Sequence, residues 1–507
     1  SEVGGTWFWN RYPGARCDVE SLTYSYSWSE DVQQEWEWSS IYAGQPEILA
    51  YIKHVADRFD LRRDIQFETR VTAALWDEPS HRWAIETDRG ETLEGTHCVM
   101  AVGSISLPWI PTWDGHDSFE GAWYHTAQWP ETPVDFTGKR VGLIGTGSTG
   151  VQATPVIAET AKHLTVFQRT PNYSVPARNK PLKPEFQQWT RDNFAHIRET
   201  VRATPAGHPF WIDDRKAVET SAHEAKRLLE DAWAVGGMQF RAVFKDLMLN
   251  VDANKVVADF VTRKIREVVE DPETAAKLTA FDHHYSTKRP IIDSHYFEAY
   301  NRDNVALVYV KASPIEEITP TGIRTGDGKE HALDIIVFAT GYDGVTGPLT
   351  RLNIKGRDGL ALADSWAEGP KTYLGLQVAG FPNLFTITGP QSPSVLTNMP
   401  VAIEQHADWI ANCIAHMRAH GAGQIEPVAE KMDEWREKVQ AAAEATLLVT
   451  AKSSWYLGAN IPGKPRAFLA WAGGMQVYRK ICDDVVANGY EGFKFSGTAK
   501  QDAAAAA

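Results

Sequence analysis

Apolar residues recur at helical spacing in some parts of the chain and form short continuous runs in others. The first helical repeat consists of Ile48, Ile52, Val55, Ala56 and Phe59. Pro46 suits the first turn of this predicted helix, where its missing N–H group is not needed. Between residues 65 and 102 the runs IQFETRVTAAL, RWAIET and THCVMAVG predict β-strands. Residues 1–24 show few periodic signals, so a loop-like segment is predicted there.

A new unit of alternating strands and helices begins at Lys139. KRVGLIG predicts a short buried strand, residues 148–161 a helix, and LTVFQR a second strand. This order predicts a parallel sheet, because two parallel strands need a crossover that a helix usually supplies. The runs LDIIVFATG and GFPNLFTITGP predict two further buried strands later in the chain.

Helical periodicity dominates two other regions. Residues from about 180 to 285 are rich in charge and alanine, and AHEAKRLLEDAW is their clearest stretch, so a helical insertion is predicted. Near the end of the chain, residues 404–416 and 432–445 predict two amphipathic helices. Together these patterns predict a fold of the α/β class.

The composition restricts the class of protein. With 507 residues, at roughly 150 residues per domain, the chain has room for two to four domains. A content of 43% hydrophobic and 23% charged residues is that of a globular protein and excludes a disordered or fibrous one. The net charge of −14 argues against nucleic acid or an anionic membrane surface as the main partner.

The cysteine and hydropathy patterns remove further classes. Cys17, Cys98, Cys413 and Cys482 are far apart and form no CxxC pair. This excludes a disulfide scaffold, a zinc ribbon and a CxxC redox centre, and no metal site is predicted. No run of about 18 apolar residues and no signal-like opening is present, so no membrane span is predicted and the expected compartment is the cytoplasm.

A glycine-rich motif directly follows the KRVGLIG strand and opens the next helix. Its residues are Gly145, Thr146, Gly147, Ser148, Thr149 and Gly150, a GxGxxG pattern. In this context the glycines let the backbone approach a pyrophosphate, and the helix N-terminus offers free N–H groups and the positive end of its dipole. The motif therefore predicts a dinucleotide site, and the alternative is a glycine-rich turn without a ligand.

The end of the second strand indicates which dinucleotide binds. NAD sites usually carry an acid there for the ribose 2′-hydroxyl, whereas this chain has Gln168, Arg169 and Thr170. A guanidinium suits the 2′-phosphate of NADPH, which is therefore predicted over NADH. The alternative for Arg169 is a solvated surface charge.

An aromatic connector with one histidine lies before the nucleotide unit. It runs FEGAWYHTAQWP from Phe119, and its marked positions are Phe119, Gly121, His125 and Trp129. Spacing alone would favour a domain linker whose histidine makes a structural hydrogen bond.

The pattern FxGxxxHxxxWP nevertheless resembles the fingerprint of the Baeyer–Villiger monooxygenases. Other segments similar to that family are GGTWFWNRYPGARCD, VFQRTPNYSVPARN, TKRPIIDSHYFEAYNRDNV, ATGYD and SSWYLGANIPGKPR. They span residues 4 to about 494 and resemble the phenylacetone and steroid branch most. The resemblance implies FAD and NADPH as cofactors, and O2 and an aryl, steroid-like or bulky cyclic ketone as substrates. The oxygen would be inserted through a C4a-peroxyflavin to give an ester or lactone.

The resemblance also implies the domain organisation. Two Rossmann-like dinucleotide-binding domains are expected, an FAD domain at 1–106 and 342–507 and an NADP domain at 107–341, with the helical insertion at about 180–285. Family members open with an additional strand–GxGxxG–helix–strand unit for FAD. The chain contains one GxGxxG, so this first FAD unit is expected to be missing from the chain as given, which would then be a fragment.

Residue roles follow from the same resemblance. Arg289 would stabilise negative charge above the flavin, and Asp18 would position it; without the resemblance, a loop ion pair and a capping carboxylate are the simpler interpretations. The implied flavin contacts are Thr6, Trp7, Phe8, Trp9, Asp18, Tyr24, Val71 and Met399. The implied nicotinamide dinucleotide contacts are Arg16, Thr146, Ser148, Thr149, Gln152, Arg169, Thr170, Lys288, Arg289 and Trp455, beside the three motif glycines. His125 and Trp129 would serve as hinge or coupling residues.

Two alternatives remain open at this point. One is an N- or S-oxygenating flavin monooxygenase, which has a similar fingerprint with a different ending. The other is a non-catalytic NADP-binding fragment, because the first FAD unit is expected to be missing. The oligomeric state is not predicted.

Overall fold

The computed structural model describes residues 2–498; Ser1 and residues 499–507 lie outside that range. The described strands are β1 Val71–Asp77, β2 Arg82–Thr87, β3 Thr92–Gly95, β4 Cys98–Met100, β5 Ala122–His125, β6 Arg140–Ile144, β7 His163–Gln168, β8 Ser174–Pro176, β9 Ile291–Asp293, β10 Val305–Tyr309, β11 Ile315–Thr319, β12 Gly322–Thr325, β13 Glu330–Ala332, β14 Ile335–Phe338, β15 Asn353–Lys355, β16 Leu384–Thr386, β17 Ala422–Pro427 and β18 Phe493–Thr498.

The described α-helices alternate with these strands. They are α1 Thr6–Trp9, α2 Glu30–Glu35, α3 Gln45–Arg58, α4 Ser148–Thr160, α5 Pro184–Asp192, α6 Phe194–Ala203, α7 Ala222–Val235, α8 Val251–Val268, α9 Pro272–Leu278, α10 Gly347–Thr350, α11 Leu362–Ser365, α12 Met399–Ala419, α13 Ala429–Glu444 and α14 Met475–Ala487. Short 3₁₀ turns include Leu61–Asp64, Met238–Ala242 and Trp455–Leu457.

A five-stranded parallel sheet forms the centre of the molecule. Its strand order is β10-β7-β6-β14-β5, and every neighbouring pair is parallel. Its strands are apolar at consecutive positions because both of its faces are covered. This confirms the predicted α/β class and the parallel sheet after Lys139.

The two faces of this sheet have different covers. Leu143 and Val337 point into a core shared with α4 and with the helices of the 180–285 region. Ile144 and Ile336 point into a second cluster, which is closed by the antiparallel sheet β11-β12-β13. The alternation along β6 and β14 thus builds a three-layer unit.

A separate core lies under the last third of the chain. It contains residues from β1, β2, β16, α12, α13 and α14, and its largest members include Trp83 and Trp435. Ile197 and Val201 of α6 also belong to it, so the helical insertion packs on both large cores. In the described part of the chain, no helix combines the length and the apolar character needed to cross a membrane.

Most predicted elements are present, and two predictions about the N-terminal region are wrong. The first strand begins at Val71 rather than near Ile65, because Glu68 has a φ of 52° and pairing starts only where Val71 meets Thr87. Residues 6–9, predicted as part of a loop, form the short helix α1.

Helix α12 begins at Met399, five residues before the predicted stretch, since Pro400 suits its first turn.

The carboxyl ends of the parallel strands face the N-terminal segment. Trp129 donates its backbone N–H to the carbonyl of Trp9 at 3.2 Å. Tyr342, just after β14, donates its hydroxyl to the side-chain oxygen of Asn10. In parallel α/β sheets ligands bind at this edge, so the fold places the candidate site between the sheet and residues 6–24.

Candidate active site

The glycine-rich turn has the geometry that a pyrophosphate requires. A Cβ atom on Gly145 would clash with the carbonyl oxygen of Ala339, and one on Gly150 with the carbonyl oxygen of Gly145. A Cβ on Gly147 would meet nothing within 4 Å. Helix α4 starts at Ser148 without a side-chain cap, so its first N–H groups are free to bind an anion. Two glycines therefore serve the packing of the turn, and the third leaves room for a ligand.

Two cationic side chains, Arg169 and Lys288, lie beyond the carboxyl end of β7. Arg169 is exposed at the end of the strand, and Thr146 donates its hydroxyl to the carbonyl of Thr170 at 3.2 Å. The Lys288 ammonium lies 3.7 Å from the Asp282 carboxylate. Burial lowers the pKa of Lys288, and the nearby charge of Arg169 lowers it further while Asp282 opposes the shift. These two cations fit the 2′-phosphate of NADPH.

Arg289 and Asp18 meet although 271 residues separate them in the chain. Arg289 Nη2 lies 3.4 Å from Asp18 Oδ2, and 4% of the Asp18 side chain is exposed. Burial lowers the pKa of Arg289, but the Asp18 carboxylate more than offsets this and raises it above its usual value. The guanidinium therefore stays charged and retains free donors for an anionic group.

Gln152 of α4 connects the glycine-rich unit to this ion pair. Its Nε2 donates to Asp18 Oδ1 at 3.3 Å and to the carbonyl of Arg16 at 3.2 Å. Its Oε1 accepts from the Tyr12 hydroxyl at 2.8 Å. The Gln152 residue is 7% exposed, and its side-chain amide fixes both the carboxylate of Asp18 and the backbone around it.

The aromatic residues near the N-terminus form a partly open surface. Trp7 donates its indole N–H to the Tyr24 hydroxyl at 3.2 Å, and the two rings lie edge to face. Phe8 is buried under the Arg11 guanidinium, whereas half of Trp9 is exposed. Thr6 is exposed at the start of α1, and Val71 is exposed at the start of β1. Such a surface can receive a planar ring system.

The histidine connector has a structural arrangement. His125 Nδ1 accepts a hydrogen bond from the Ala127 N–H at 3.1 Å, and Nε2 lies 3.4 Å from the Thr340 hydroxyl. Burial lowers the pKa of His125 to about 4, although a hydrogen bond with the Trp109 backbone opposes this shift, so the ring is neutral at pH 7. A side chain on Gly121 would clash with the Phe119 ring. These contacts tie the connector to the segments around Trp109 and Thr340.

The loop before α12 is held by the helical insertion. Asn398 Nδ2 donates to the carbonyl of Thr23 at 2.7 Å and to that of Gly207 at 3.3 Å. Met399 follows as the first residue of α12. The ring of Trp455 lies so close to Gly344 that a Cβ on this glycine would come within 3.0 Å of it. Met399 thus begins a helix whose preceding loop is anchored to Thr23 and Gly207, and Trp455 lies in a 3₁₀ turn that packs on Gly344.

The sequence did not mark several residues that the structure brings to this site. Tyr12 and Tyr456 lie inside family-like segments but carry no predicted role, whereas His208 and Arg241 lie in the helical insertion and belong to no motif. Burial, together with the charges of Arg241 and Arg289, lowers the pKa of His208 to about 3. The only available signal was an arginine within an otherwise apolar stretch, which spacing alone does not distinguish from a surface charge.

Redox chemistry of the chain's own thiols has no support at this site. Cys17, Cys98, Cys413 and Cys482 are free thiols. Burial raises the pKa of Cys17, the one beside Asp18, to about 12, so it is protonated at pH 7. Within residues 2–498, no three histidine, cysteine or acidic side chains gather into a metal-binding group.

Comparison with known proteins agrees with this geometry. The profile of the family described as "Flavin-binding monooxygenase-like" matches residues 37–179. A 2-oxo-Δ(3)-4,5,5-trimethylcyclopentenylacetyl-CoA monooxygenase of Pseudomonas putida is 42% identical over 98% of this chain and 92% of that protein. A Baeyer–Villiger monooxygenase of Pseudooceanicola batsensis is 42% identical over 97% and 89%. A phenazine N-monooxygenase of Lysobacter antibioticus is 39% identical over 97% and 90%.

Solved structures give the same result. An oxidized steroid monooxygenase bound to NADP superposes with a TM-score of 0.93 at 49% identity, covering 98% of this chain and 93% of that one. A complex of OTEMO with FAD and NADP superposes with a TM-score of 0.94 at 42% identity and the same coverage.

Proposed function

We propose that this chain inserts one oxygen atom of O2 beside the carbonyl of a bulky cyclic, aryl or steroid-like ketone. The chain belongs to the flavin-binding monooxygenase-like family and is an FAD- and NADPH-dependent Baeyer–Villiger monooxygenase. The product is an ester or a lactone. The observation that carries this proposal is the Arg289–Asp18 pair, held by Gln152 at the edge of the parallel sheet. The similarity to a steroid monooxygenase and to an enzyme named for a substituted cyclopentenyl substrate supports the substrate class.

Arg289 is the proposed catalytic residue. When bound, NADPH supplies a hydride, and FAD accepts it and activates O2 for transfer to the ketone. The Arg289 guanidinium stabilises the negative charge that develops on oxygen during this transfer, because it stays protonated and is already held in position by Asp18. Asp18 orients the guanidinium, and Gln152 orients Asp18, so the donor is in place before the charge appears.

The nicotinamide dinucleotide is assigned to the glycine-rich turn. Gly147 leaves space for the pyrophosphate, and the N–H groups at the start of α4 point towards it. Arg169 and Lys288 would hold the 2′-phosphate, which explains a preference for NADPH over NADH. These roles support an NADP domain at 107–341 and an FAD domain at 1–106 and 342–507.

The connector residues are proposed to couple the two domains. Trp129 is buried and bonded to Trp9, whose backbone belongs to the proposed flavin surface. His125 is neutral and hydrogen-bonded to Ala127, so a coupling role suits it better than direct proton transfer. Phe119 and Gly121 shape the same connector.

The test is product analysis with a substrate panel. The purified protein is supplied with FAD, NADPH and, in separate reactions, cyclohexanone, an aryl ketone, a sulfide and an amine. Formation of a lactone or ester that carries one atom of ¹⁸O from labelled O2 is the expected result. NADPH consumption without any ester from any ketone would contradict the proposal.

N-oxygenation is the second candidate, because a phenazine N-monooxygenase is 39% identical to this chain. An N-oxide from an amine or phenazine, without any ester from the ketones, would favour it. Sulfoxide formation alone does not separate the two activities. A non-catalytic NADP-binding role predicts a protein without bound flavin, which the absorbance spectrum of the purified protein shows directly.

A further inference from the structure

Arg241 is a partly buried charged residue that has no counter-ion among residues 2–498. It lies in the 3₁₀ turn Met238–Ala242, between the buried residues Phe240 and Ala242. Its Nε atom is buried without a hydrogen-bond acceptor. Among residues 2–498, no carboxylate oxygen lies within 4.0 Å of its guanidinium nitrogens. A guanidinium that lies near a second cation and has no carboxylate beside it lacks a counter-charge, which an anionic ligand would supply.

The electrostatic neighbours of Arg241 do not neutralise it. They are Arg289, Tyr285, Tyr456 and His208. Burial raises the pKa of Tyr285 and of Tyr456, so both phenols are uncharged at pH 7. His208, with its pKa near 3, is neutral as well. Burial lowers the pKa of Arg241, yet a guanidinium starts from so high a value that it stays protonated.

The charge balance around Arg289 is therefore positive. Two guanidiniums, Arg289 and Arg241, face this region, and the carboxylate of Asp18 already pairs with Arg289. One positive charge is left without a partner. Like charges that lie close together repel each other, and an anion bound next to Arg241 reduces that repulsion.

The phosphates of the nicotinamide dinucleotide have other cations. Lys288 interacts with Asp282, Arg169 and Lys311, at the edge beyond β7. Arg241 instead interacts with Tyr285 and Tyr456, and Tyr456 directly follows the Trp455 of the proposed nicotinamide site. The free guanidinium is thus on the side of the site where the reacting groups meet.

We propose that Arg241 binds an anionic group of the substrate, so that the preferred ketone carries a carboxylate or another acid group near its carbonyl. This inference rests on the proposed Baeyer–Villiger function and specifies its substrate class. Arg241 is then a specificity-determining residue, which holds the acid group while Arg289 acts at the carbonyl. The planar fork of the guanidinium suits a bidentate contact with a carboxylate.

The test compares three forms of one ketone. 2-Oxocyclopentylacetate carries the charge on the ketone itself, its methyl ester carries none, and its coenzyme A thioester carries charge only on the remote phosphates. We expect kcat/KM for the acid to exceed that for the methyl ester by about tenfold or more, mainly through KM. In Arg241→Met this preference falls by about tenfold, and Arg241→Lys retains part of it. Arg436→Met, at an exposed arginine of α13, keeps the wild-type ratio.

The outcomes separate this inference from the function on which it rests. A preference for the thioester that disappears in Arg241→Met would place the bound anion on the remote phosphates and would overturn the assignment of an acid group near the carbonyl. Equal kcat/KM for acid and methyl ester, or an acid preference that survives in Arg241→Met, overturns the inference while ester formation still supports the function. If no ketone yields an ester, the function fails. Tryptophan fluorescence titration with the acid then still tests Arg241, because the dissociation constant must rise in Arg241→Met.

Discussion

At the scale of single residues, the chemistry depends on a charge held in one position. Arg289 is a permanently protonated guanidinium whose position Asp18 fixes, and Asp18 is buried with Gln152 as its second partner. The guanidinium therefore needs no rearrangement when negative charge develops nearby, and such preorganisation is a large part of catalysis.

Replacing Arg289 by alanine should uncouple NADPH oxidation from product formation. The rate of ester formation is expected to fall at least about 100-fold, because a donor to the developing charge is lost. NADPH is still consumed, since hydride transfer does not need this donor. Ester yield by gas chromatography and NADPH absorbance measure the two rates, and Arg289→Lys, which keeps the charge, is the matched control. An alanine variant that makes ester at the wild-type rate would remove Arg289 from the proposed role.

Arg169 should decide between the two nicotinamide cofactors. In Arg169→Ala we expect KM for NADPH to rise by about tenfold or more, with KM for NADH nearly unchanged, because only NADPH has the 2′-phosphate. Arg302→Ala is the control, since Arg302 precedes β10 and lies at the amino ends of the parallel strands, whereas Arg169 lies at their carboxyl ends. Steady-state kinetics with both cofactors measure the ratio. An unchanged NADPH/NADH ratio in Arg169→Ala would leave Arg169 as a plain surface charge.

At the scale of elements, different glycines of the β6–α4 turn serve the packing of the fold and the binding of the dinucleotide. Gly150 packs against the Gly145 carbonyl, whereas the space beside Gly147 is open. Two glycines of one motif thus serve different purposes, and they can be tested independently.

Gly150→Ala should destabilise the protein, and Gly147→Ala should weaken NADPH binding. The new methyl group at 150 clashes with backbone, which is expected to cost about 2 kcal/mol or more of the free energy of unfolding. The methyl group at 147 meets no protein atom, so the unfolding free energy changes by less than about 1 kcal/mol, but it stands where the pyrophosphate approaches. Thermal unfolding and NADPH titration measure the two effects. Equal loss of stability in both variants would contradict this division.

At the scale of the whole molecule, buried histidines make stability depend on pH. Burial is the main cause that lowers the pKa of His125 and His283 to about 4 and that of His208 and His406 to about 3. In the unfolded chain the histidine pKa values lie near 6.5. Between the folded pKa values and pH 6.5 the unfolded chain therefore binds more protons than the folded chain. Their stabilising contribution is therefore complete above pH 6.5 and is lost as the pH falls towards 3–4.

We expect the free energy of unfolding to fall between pH 6.5 and 5, with each such histidine adding a slope of about 1.4 kcal/mol per pH unit. His406→Gln should reduce this slope, and His295→Gln, at an exposed histidine, should not. Urea unfolding at several pH values measures it. An identical slope in His406→Gln and the wild type would show that His406 titrates normally in the folded protein.

Local patterns allowed much of this fold to be predicted, and long-range packing explains the rest. The β6–α4–β7 unit and the GxGxxG turn depend on neighbouring residues, so their signals are present in the sequence. The start of β1 depends on where Thr87 pairs, and α1 is only four residues long, so neither leaves a periodic pattern. The apolar stretch around Arg241 does not reveal its unpaired state, because that state depends on residues that lie far from it in the chain.

Gln152 has a consequence for protein engineering. Its amide belongs to α4 of the nucleotide unit, yet its partners Tyr12, Arg16 and Asp18 belong to the N-terminal segment. A chimera that receives the nucleotide unit of a relative would separate this glutamine from the three residues with which it forms hydrogen bonds. The four positions therefore form one exchangeable block, and a domain graft has to carry residues 12–18 together with helix α4.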